Sequence, residues 1–225
     1  GAAITFKGSP IDVDLRHTAA ISGGFILHGP GIGSTVTGIV IDENATNKSA
    51  RIQLTGVVVE RFGIGCDHQD RSYLAQYTNV DIIECGISVR QNVGVDSVEN
   101  IRFIGGGIHN GGTVVKGLSS GVDIKFFGTS FDNNTSKLFD YIDGRVELHG
   151  CHIKADGAVL ADDWLLNLTG NAFFLMTGGA IVLTGTPPYA WARAANLSNL
   201  LAVAKFRDVA MQGFRNTSDG VWVGS

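Results

Sequence analysis

An apolar phrase recurs along most of the chain at a nearly constant interval. Each copy reads apolar, any residue, apolar, any residue, usually glycine, two further residues and then apolar. The clear copies are IQLTGVVV (52–59), VDIIECGI (80–87), IRFIGGGI (101–108), IKFFGTSF (124–131), VELHGCHI (146–153) and LNLTGNAF (166–173), and a weaker copy is FILHGPGI (25–32). The clear copies start 28, 21, 23, 22 and 20 residues apart. This spacing is typical of a solenoid, in which one unit cannot bury its apolar face alone.

The spacing inside each copy selects the kind of solenoid. Apolar residues alternate at i and i+2, which is the period of a β-strand, and the copies are rich in Val, Ile, Phe and Thr. A unit of this length is too short for a strand followed by a full crossover helix. We therefore predict an all-β coil of short strands joined by tight bends, with parallel sheets along its axis. The bends are expected at the recurring glycines 56, 105, 128, 150 and 170, a column that Glu84 interrupts.

Aligning the copies predicts columns of stacked side chains that lie about 4.8 Å apart inside the coil. The first column is Ile52, Val80, Ile101, Ile124, Val146 and Leu166. The second is Leu54, Ile82, Phe103, Phe126, Leu148 and Leu168. The third is Val59, Ile87, Ile108, Phe131, Ile153 and Phe173.

The same alignment predicts what the coil presents to its surroundings. One outward column forms a ladder of charge pairs, Asp81 with Arg102 and Lys125 with Glu147. The next outward column contains a stripe of large apolar residues, Ile83, Ile104 and Phe127. Exposed apolar stripes on soluble proteins usually mark an interface. The stripe is therefore expected to contact another subunit, or else a loop of the same chain.

The phrase fades after residue 185, which divides the chain into a β-helix over 1–185 and an irregular extension over 186–225 that continues or caps it. Residues 190–205 are either an alanine-rich helix or a final irregular coil. A net charge of −4 gives no excess of positive charge for nucleic acid. No apolar run approaches the roughly 20 residues of a membrane span. The three cysteines lack metal-binding spacing, so we expect buried free thiols and neither a metal nor a cofactor. Because the chain opens with Gly1, we also expect a fragment of a longer protein.

The phrase, its spacing and the Asn/Gly/Ser-rich turns resemble right-handed parallel β-helix proteins of the pectate-lyase-like kind, over about residues 20–185. The segments ENIRFIGGGIHN and VDIKFFGTSFDNN look especially like bacteriophage tailspikes and depolymerases. That resemblance implies an extracellular homotrimer on the virion tail that binds a host surface polysaccharide and cleaves it as an endo-acting glycosidase. The calcium-binding nonapeptide repeats of some β-helix proteins are absent from the sequence.

Two DxxD stretches are the best candidates for a hydrolytic site, because glycoside hydrolysis uses a pair of carboxylates. They are Asp67 with Asp70 and Asp140 with Asp143, and each follows an apolar strand. Their layout is similar to that of carboxylates in some hydrolytic tailspikes. In the second stretch one aspartate would act as the acid and the other would activate water, while Tyr141 could stack on a sugar. Aspartates that satisfy the backbone of a turn are the alternative interpretation.

A second constellation would suit a polysaccharide lyase. His109, Asp132 and Lys154 fall at one outward position of successive copies, which would place a base and a cation beside a uronate. A surface charge ladder is the alternative. Asn133 and Asn134 could line a sugar groove. The function therefore has three candidates, a polysaccharide-cleaving tailspike, a glycan-binding adhesin or virion structural part without activity, and a polysaccharide lyase.

Overall fold

The chain winds as a parallel β-solenoid in the computed structural model, which describes residues 1–7, 19–42, 49–69, 72–92, 100–118, 121–156, 164–184, 193–197 and 201–212. All strand pairings among these residues are parallel, and no helix occurs among them, so none that could cross a membrane. The predicted all-β parallel solenoid is thereby confirmed. Strands are numbered in chain order and lie on three faces.

Face 1 carries the first half of the recurring phrase. Its strands, in stacking order, are β2 (Ala19–Ser22), β6 (Ile52–Thr55), β10 (Gln76–Thr78), β13 (Ile101–Ile104), β16 (Val122–Phe127), the second halves of β18 (Phe139–His149) and β20 (Trp164–Thr177), and β23 (Val203–Arg207).

Face 2 carries the second half of the phrase and is a separate sheet. Its strands are β3 (Ile26–His28), β7 (Val58–Glu60), β11 (Asp81–Ile83), β14 (Gly107–His109), β17 (Ser130–Asp132), β19 (His152–Asp156), β21 (Ala180–Thr184) and β24 (Ala210–Gln212).

Face 3 completes each coil. Its strands are β1 (Ala2–Lys7), β4 (Thr37–Asp42), β8 (Ile64–Gln69), β12 (Ile87–Asn92), β15 (Thr113–Gly117), the first halves of β18 and β20, and β22 (Arg193–Leu197). Because β18 and β20 bend from face 3 onto face 1, the two faces form one continuous sheet. Two short strands, β5 (Ser49–Ala50) and β9 (Ser72–Tyr73), pair separately.

Residues in the left-handed region turn the chain at one corner along the solenoid and at a second corner in the coils that contain β7, β11, β14 and β17. The corner between faces 1 and 2 uses Gly56, Asn79, Gly105, Gly128, Gly150, Gly178 and Asp208, and the corner between faces 2 and 3 uses Arg61, Glu84, Asn110 and Asn133; all have φ between 49° and 65°. The backbone N–H of each first-corner residue from Gly56 to Gly178 donates to a carbonyl of the next coil, for example Asn79 to Ile104 over 2.9 Å. The hydrogen-bonded ladder therefore continues around this corner.

The register confirms part of the predicted alignment and corrects the rest. The copies starting at 101, 124 and 146 stack as predicted. The copy at 80–87 was wrong, because Gln76 pairs with both Gln53 and Arg102, so the true copy is AQYTNVDI (75–82) with Asn79 in the glycine position. The copy at 166–173 was wrong as well, because Phe174 stacks on Val146 and its copy is FLMTGGAI (174–181). In the first coil Ala19 pairs with Ile52 and Leu27 with Val59, so FILHGPGI is not a copy.

These corrections change the outward columns. Arg102 is paired with Gln76 rather than with Asp81, whereas Lys125 does pair with Glu147. Ile83 lies on face 2 between Glu60 and His109. The position beside Ile104 that was predicted for Ile83 is occupied by Thr78. The segment that could have been a helix instead contributes strands β22 and β23, which continue the sheet beyond β20.

Stacked aromatic rings fill the middle of the core. Tyr77 and Phe103 are parallel with centroids 4.3 Å apart, and Phe103 and Phe126 stack at 4.9 Å. Phe131 and Phe139 approach Phe126 with their edges from the other two faces. All five rings are buried, as are the free cysteines 66, 85 and 151. Phe126, in the second inward column of face 1, thus contacts aromatic rings from both other faces.

One histidine lies wholly inside this core. The Nε2 atom of His68 is 2.8 Å from the Tyr77 hydroxyl, and no solvent reaches the His68 side chain. Burial lowers the pKa of His68 to about 4, because the charged imidazolium loses its hydration there. The folded chain therefore holds His68 neutral at a pH at which the unfolded chain would protonate it.

We predict that Phe103→Ala lowers the free energy of unfolding by about 3–5 kcal/mol, because the change leaves a cavity between two stacked rings. Ile142→Ala is the matched control, since Ile142 on β18 is 49% exposed, and it should cost less than about 1 kcal/mol. Urea denaturation followed by circular dichroism measures both values. Equal losses would contradict the assignment of inward and outward sides.

We predict that His68 makes the fold sensitive to acid. Its folded pKa lies below its unfolded value, so the unfolded state binds more protons and stability falls as the pH drops from about 6.5 to 4. The loss from this group approaches about 3 kcal/mol. His68→Gln can still accept a hydrogen bond from Tyr77 and should remove this part of the pH dependence. Urea denaturation at several pH values tests it, with exposed His152→Gln as the control that keeps the original profile.

Candidate functional site

A column of polar side chains runs along the outer side of face 3. Its members pair in register on neighbouring strands, so they follow one another at about 4.8 Å. They are Asp67, Arg90, Lys116, Asp140 and Asn167. Two of the predicted catalytic aspartates belong to this column, which we call the face 3 column.

Asp67 forms a closed ion pair at one end of the column. Both of its carboxylate oxygens accept from Arg90, over 2.8 Å from Nε and 2.7 Å from Nη2. Gln69 also donates to the same carboxylate over 2.9 Å. Asp67 is only 1% exposed, so its oxygens are occupied and shielded from solvent. The hydrogen bonds from Arg90 raise the pKa of the guanidinium, which stays charged. Asp70, the predicted partner of Asp67, lies outside the described residues.

Asp140 is the accessible carboxylate of the column. One of its oxygens accepts from Asn167 Nδ2 over 2.7 Å, and the other lies 3.9 Å from Lys116 Nζ. The Asp140 side chain is 24% exposed. Strand β18 therefore presents a carboxylate with one firm and one loose partner.

Asp143 lies where β18 turns from face 3 onto face 1. Its Oδ1 accepts from the backbone N–H of Gly144 over 2.7 Å. Gly144 has φ of 94°, and a Cβ there would lie 2.2 Å from the carbonyl oxygen of Val122, so this corner requires glycine. Asp143 thus has a structural role at the turn and remains partly exposed.

The predicted sugar-stacking residue points the other way. Tyr141 lies between the two aspartates on β18, and alternation along the strand turns its ring into the core. Its hydroxyl donates to the carbonyl of Phe173 over 2.6 Å, and burial raises its pKa. Tyr141 therefore has no exposed ring face for a sugar.

The predicted lyase residues do come together on the outer side of face 2. His109, Asp132 and Lys154 pair in register on β14, β17 and β19. Asp132 lies between two imidazoles, with Nδ1 of His109 at 3.4 Å and Nδ1 of His152 at 3.6 Å. Ser130 also donates to Asp132 over 2.9 Å. This arrangement combines a carboxylate, two imidazoles and an ammonium group on one surface.

The two predicted asparagines have different environments. Asn133 is an exposed second-corner residue with φ of 55°. Asn134 is buried, donates to the carbonyl of Ile108 and accepts from the backbone N–H of Gly111. Both ends of its amide are engaged by the backbone, so Asn134 supports the corner and is not available to a sugar.

The outer side of face 1 keeps an apolar stripe. Ile104 is 38% exposed and Phe127 36% exposed, and the Phe127 ring stacks on His149 with centroids 5.0 Å apart. Glu147, beside this stripe, contacts both His149 and Arg145. We call Ile104, Phe127 and His149 the face 1 stripe.

Among the described residues, no group of three or more His, Cys, Asp or Glu side chains could hold a metal ion. Comparisons with models of protein families, with curated proteins and with solved structures find no match to this chain. The fold and its outward columns define the class, a parallel β-solenoid with polar ladders on its surface.

Sequence reasoning missed Arg90, Lys116 and Asn167. Their spacing from the predicted aspartates was visible, because Asp67, Arg90, Lys116 and Asp140 are separated by 23, 26 and 24 residues. That is the interval of the apolar phrase. The alignment extended only one residue beyond the phrase, to the position of His109, whereas Arg90 and Lys116 lie further along, on face 3.

Proposed function

We propose that this β-solenoid is a tailspike-type protein that binds a bacterial surface polysaccharide along its outer surface and cleaves it as an endo-acting glycosidase. On this proposal it acts outside the host cell, on the virion tail, as a homotrimer. The observation that supports it best is the face 3 column, in which cation, carboxylate and amide side chains follow one another in register. A regular polymer has its own repeat, and such a column offers it contacts at regular intervals.

The carboxylates of β18 are the proposed catalytic pair. Asp140 and Asp143 are three residues apart on β18, and a fully extended strand would separate their Cα atoms by about 10 Å. Inverting glycosidases hold their carboxyl groups about 6.5–9.5 Å apart, which leaves room for a water molecule. One aspartate protonates the glycosidic oxygen as its bond to the anomeric carbon breaks. The other takes a proton from the water that attacks that carbon, so the product has inverted configuration.

Removing either carboxylate should stop cleavage. We predict that Asp140→Asn and Asp143→Asn each lower the rate of polysaccharide depolymerisation by at least about 100-fold, because each loses acid–base catalysis. The measurement is the size distribution of purified bacterial capsular and O-antigen polysaccharides after incubation. Asp123→Asn, a partly exposed aspartate on face 1, is the matched control and should keep full activity.

The same assay separates the proposal from its alternatives. Binding without shortening by the unaltered protein would favour an adhesin, an interpretation supported by the partners that Asp140 and Asp143 already have. Cleavage that persists in both variants but stops in Asp132→Asn, with products that absorb ultraviolet light as unsaturated uronates do, would favour the lyase. The register of His109, Asp132 and Lys154 supports that second candidate.

The face 1 stripe is the proposed contact between the three chains. Charged substitution there should weaken assembly, because a carboxylate would be buried against apolar surface. We predict that Ile104→Asp raises the protein concentration needed for assembly by at least about tenfold, as measured by size-exclusion chromatography with light scattering. Ile26→Asp, at an exposed isoleucine of face 2, is the control and should assemble normally. A monomeric unaltered protein would contradict the proposal.

A further inference from the structure

Two cations occupy adjacent positions in the middle of the face 3 column. Arg90 on β12 pairs in register with Lys116 on β15, so their side chains leave the sheet about 4.8 Å apart. Like charges this close repel each other. Each cation instead contacts the carboxylate on its far side, Arg90 with Asp67 and Lys116 with Asp140. The column therefore reads negative, positive, positive, negative.

The pairing of Arg90 fixes its direction without using all its donors. A guanidinium has five N–H donors, and the two bonds to Asp67 use Nε and one hydrogen of Nη2. The remaining donors lie on the side of the group away from Asp67. Because Asp67 is buried and is also held by Gln69, the guanidinium plane is held in place, while 23% of the Arg90 side chain stays exposed.

Lys116 is held much more loosely. Its ammonium group lies 3.9 Å from Asp140, beyond hydrogen-bond distance, and Asp140 already accepts a shorter bond from Asn167. The Lys116 side chain is 37% exposed. A rigid guanidinium thus lies beside an ammonium group that can move toward a new partner, with the nearest carboxylates either buried or otherwise bonded.

We propose that Arg90 and Lys116 together bind one oxyanion, and that the polysaccharide which this solenoid binds is therefore acidic. The shared chemistry is a carboxylate, as on a uronate, or a phosphate, as in a phosphodiester-linked glycan. The part about the polysaccharide rests on the proposed function, whereas the oxyanion site itself does not. A bound oxyanion accepts hydrogen bonds from Arg90 and from Lys116 Nζ, and relieves the repulsion between the two cations.

Calorimetric titration of the full chain at low salt tests the site with three probes. These are a hyaluronan hexasaccharide, the same hexasaccharide with its carboxyl groups reduced to alcohols, and inorganic phosphate. We expect the hexasaccharide or phosphate to bind and the reduced hexasaccharide not to bind, and added salt should weaken binding. A response to the hexasaccharide alone indicates a carboxylate glycan, and a response to phosphate alone indicates a phosphate glycan. Absence of binding by both anions overturns the site.

Variants locate the binding. Lys116→Met keeps the length of the side chain without its charge and should weaken binding about tenfold, whereas Lys116→Arg should retain it. Lys125→Met is the matched control, because Lys125 on face 1 lies 4.0 Å from Asp123 with similar exposure. Equal losses in Lys116→Met and Lys125→Met would indicate general attraction to a charged surface and would overturn the proposal.

Binding measurements with a panel made of the capsular and O-antigen polysaccharides of the cleavage assay distinguish failure of this inference from failure of the proposed function. Binding of a neutral polysaccharide that Lys116→Met does not change would overturn the acidic substrate and leave glycan binding in place. Phosphate binding that depends on Lys116, with no polysaccharide of the panel bound, would keep the oxyanion site and count against the proposed function.

Discussion

The register of the parallel ladder is the constraint on which the rest of the structure depends. Many strands of face 2 are only three residues long, so a single strand pair contributes few hydrogen bonds. Coils remain aligned because their corners superpose, and the N–H of the first-corner residues from Gly56 to Gly178 donates to the next coil. A slip of one residue would turn every inward side chain outward. The left-handed residues at the corners therefore determine which side chains form the core and which form the surface.

This constraint explains why the fold could be predicted and why two copies were misaligned. Glycine marks the first corner in most coils, and it follows a pair of apolar residues at alternate positions. Both features are visible in the sequence. In the third coil Asn79 takes the corner, preceded by the small Ala75 and the aromatic Tyr77. The segment at 80–87 looks more apolar, and its Glu84 does have a positive φ of 50°. Glu84 belongs to the second corner, however, where the left-handed position is not occupied by glycine.

The candidate site was less predictable, because it lies on face 3. The alignment ended one residue beyond the phrase, at the position of His109, so it did not extend to Arg90 or Lys116 on face 3. From residue type alone, Asp67 and Asp140 were both interpreted as catalytic carboxylates. Their environments differ because Asp67 faces an arginine that can bind both oxygens, whereas Asp140 faces a lysine that contacts one. Such a difference depends on neighbours that are more than twenty residues away in sequence.

The ion pair of Asp67 with Arg90 uses both carboxylate oxygens of a nearly buried aspartate. Partly exposed pairs such as Lys125 with Asp123 exchange readily with water and contribute little to stability. Asp67 is buried although it projects outward, so its charge needs a partner with matching geometry. The core does not require a charge at this position, since the preceding coil places Val40 there. This ion pair orients the guanidinium of Arg90 beside the loosely held ammonium group of Lys116. That arrangement is suited to recognising an anion more than to holding the coils together.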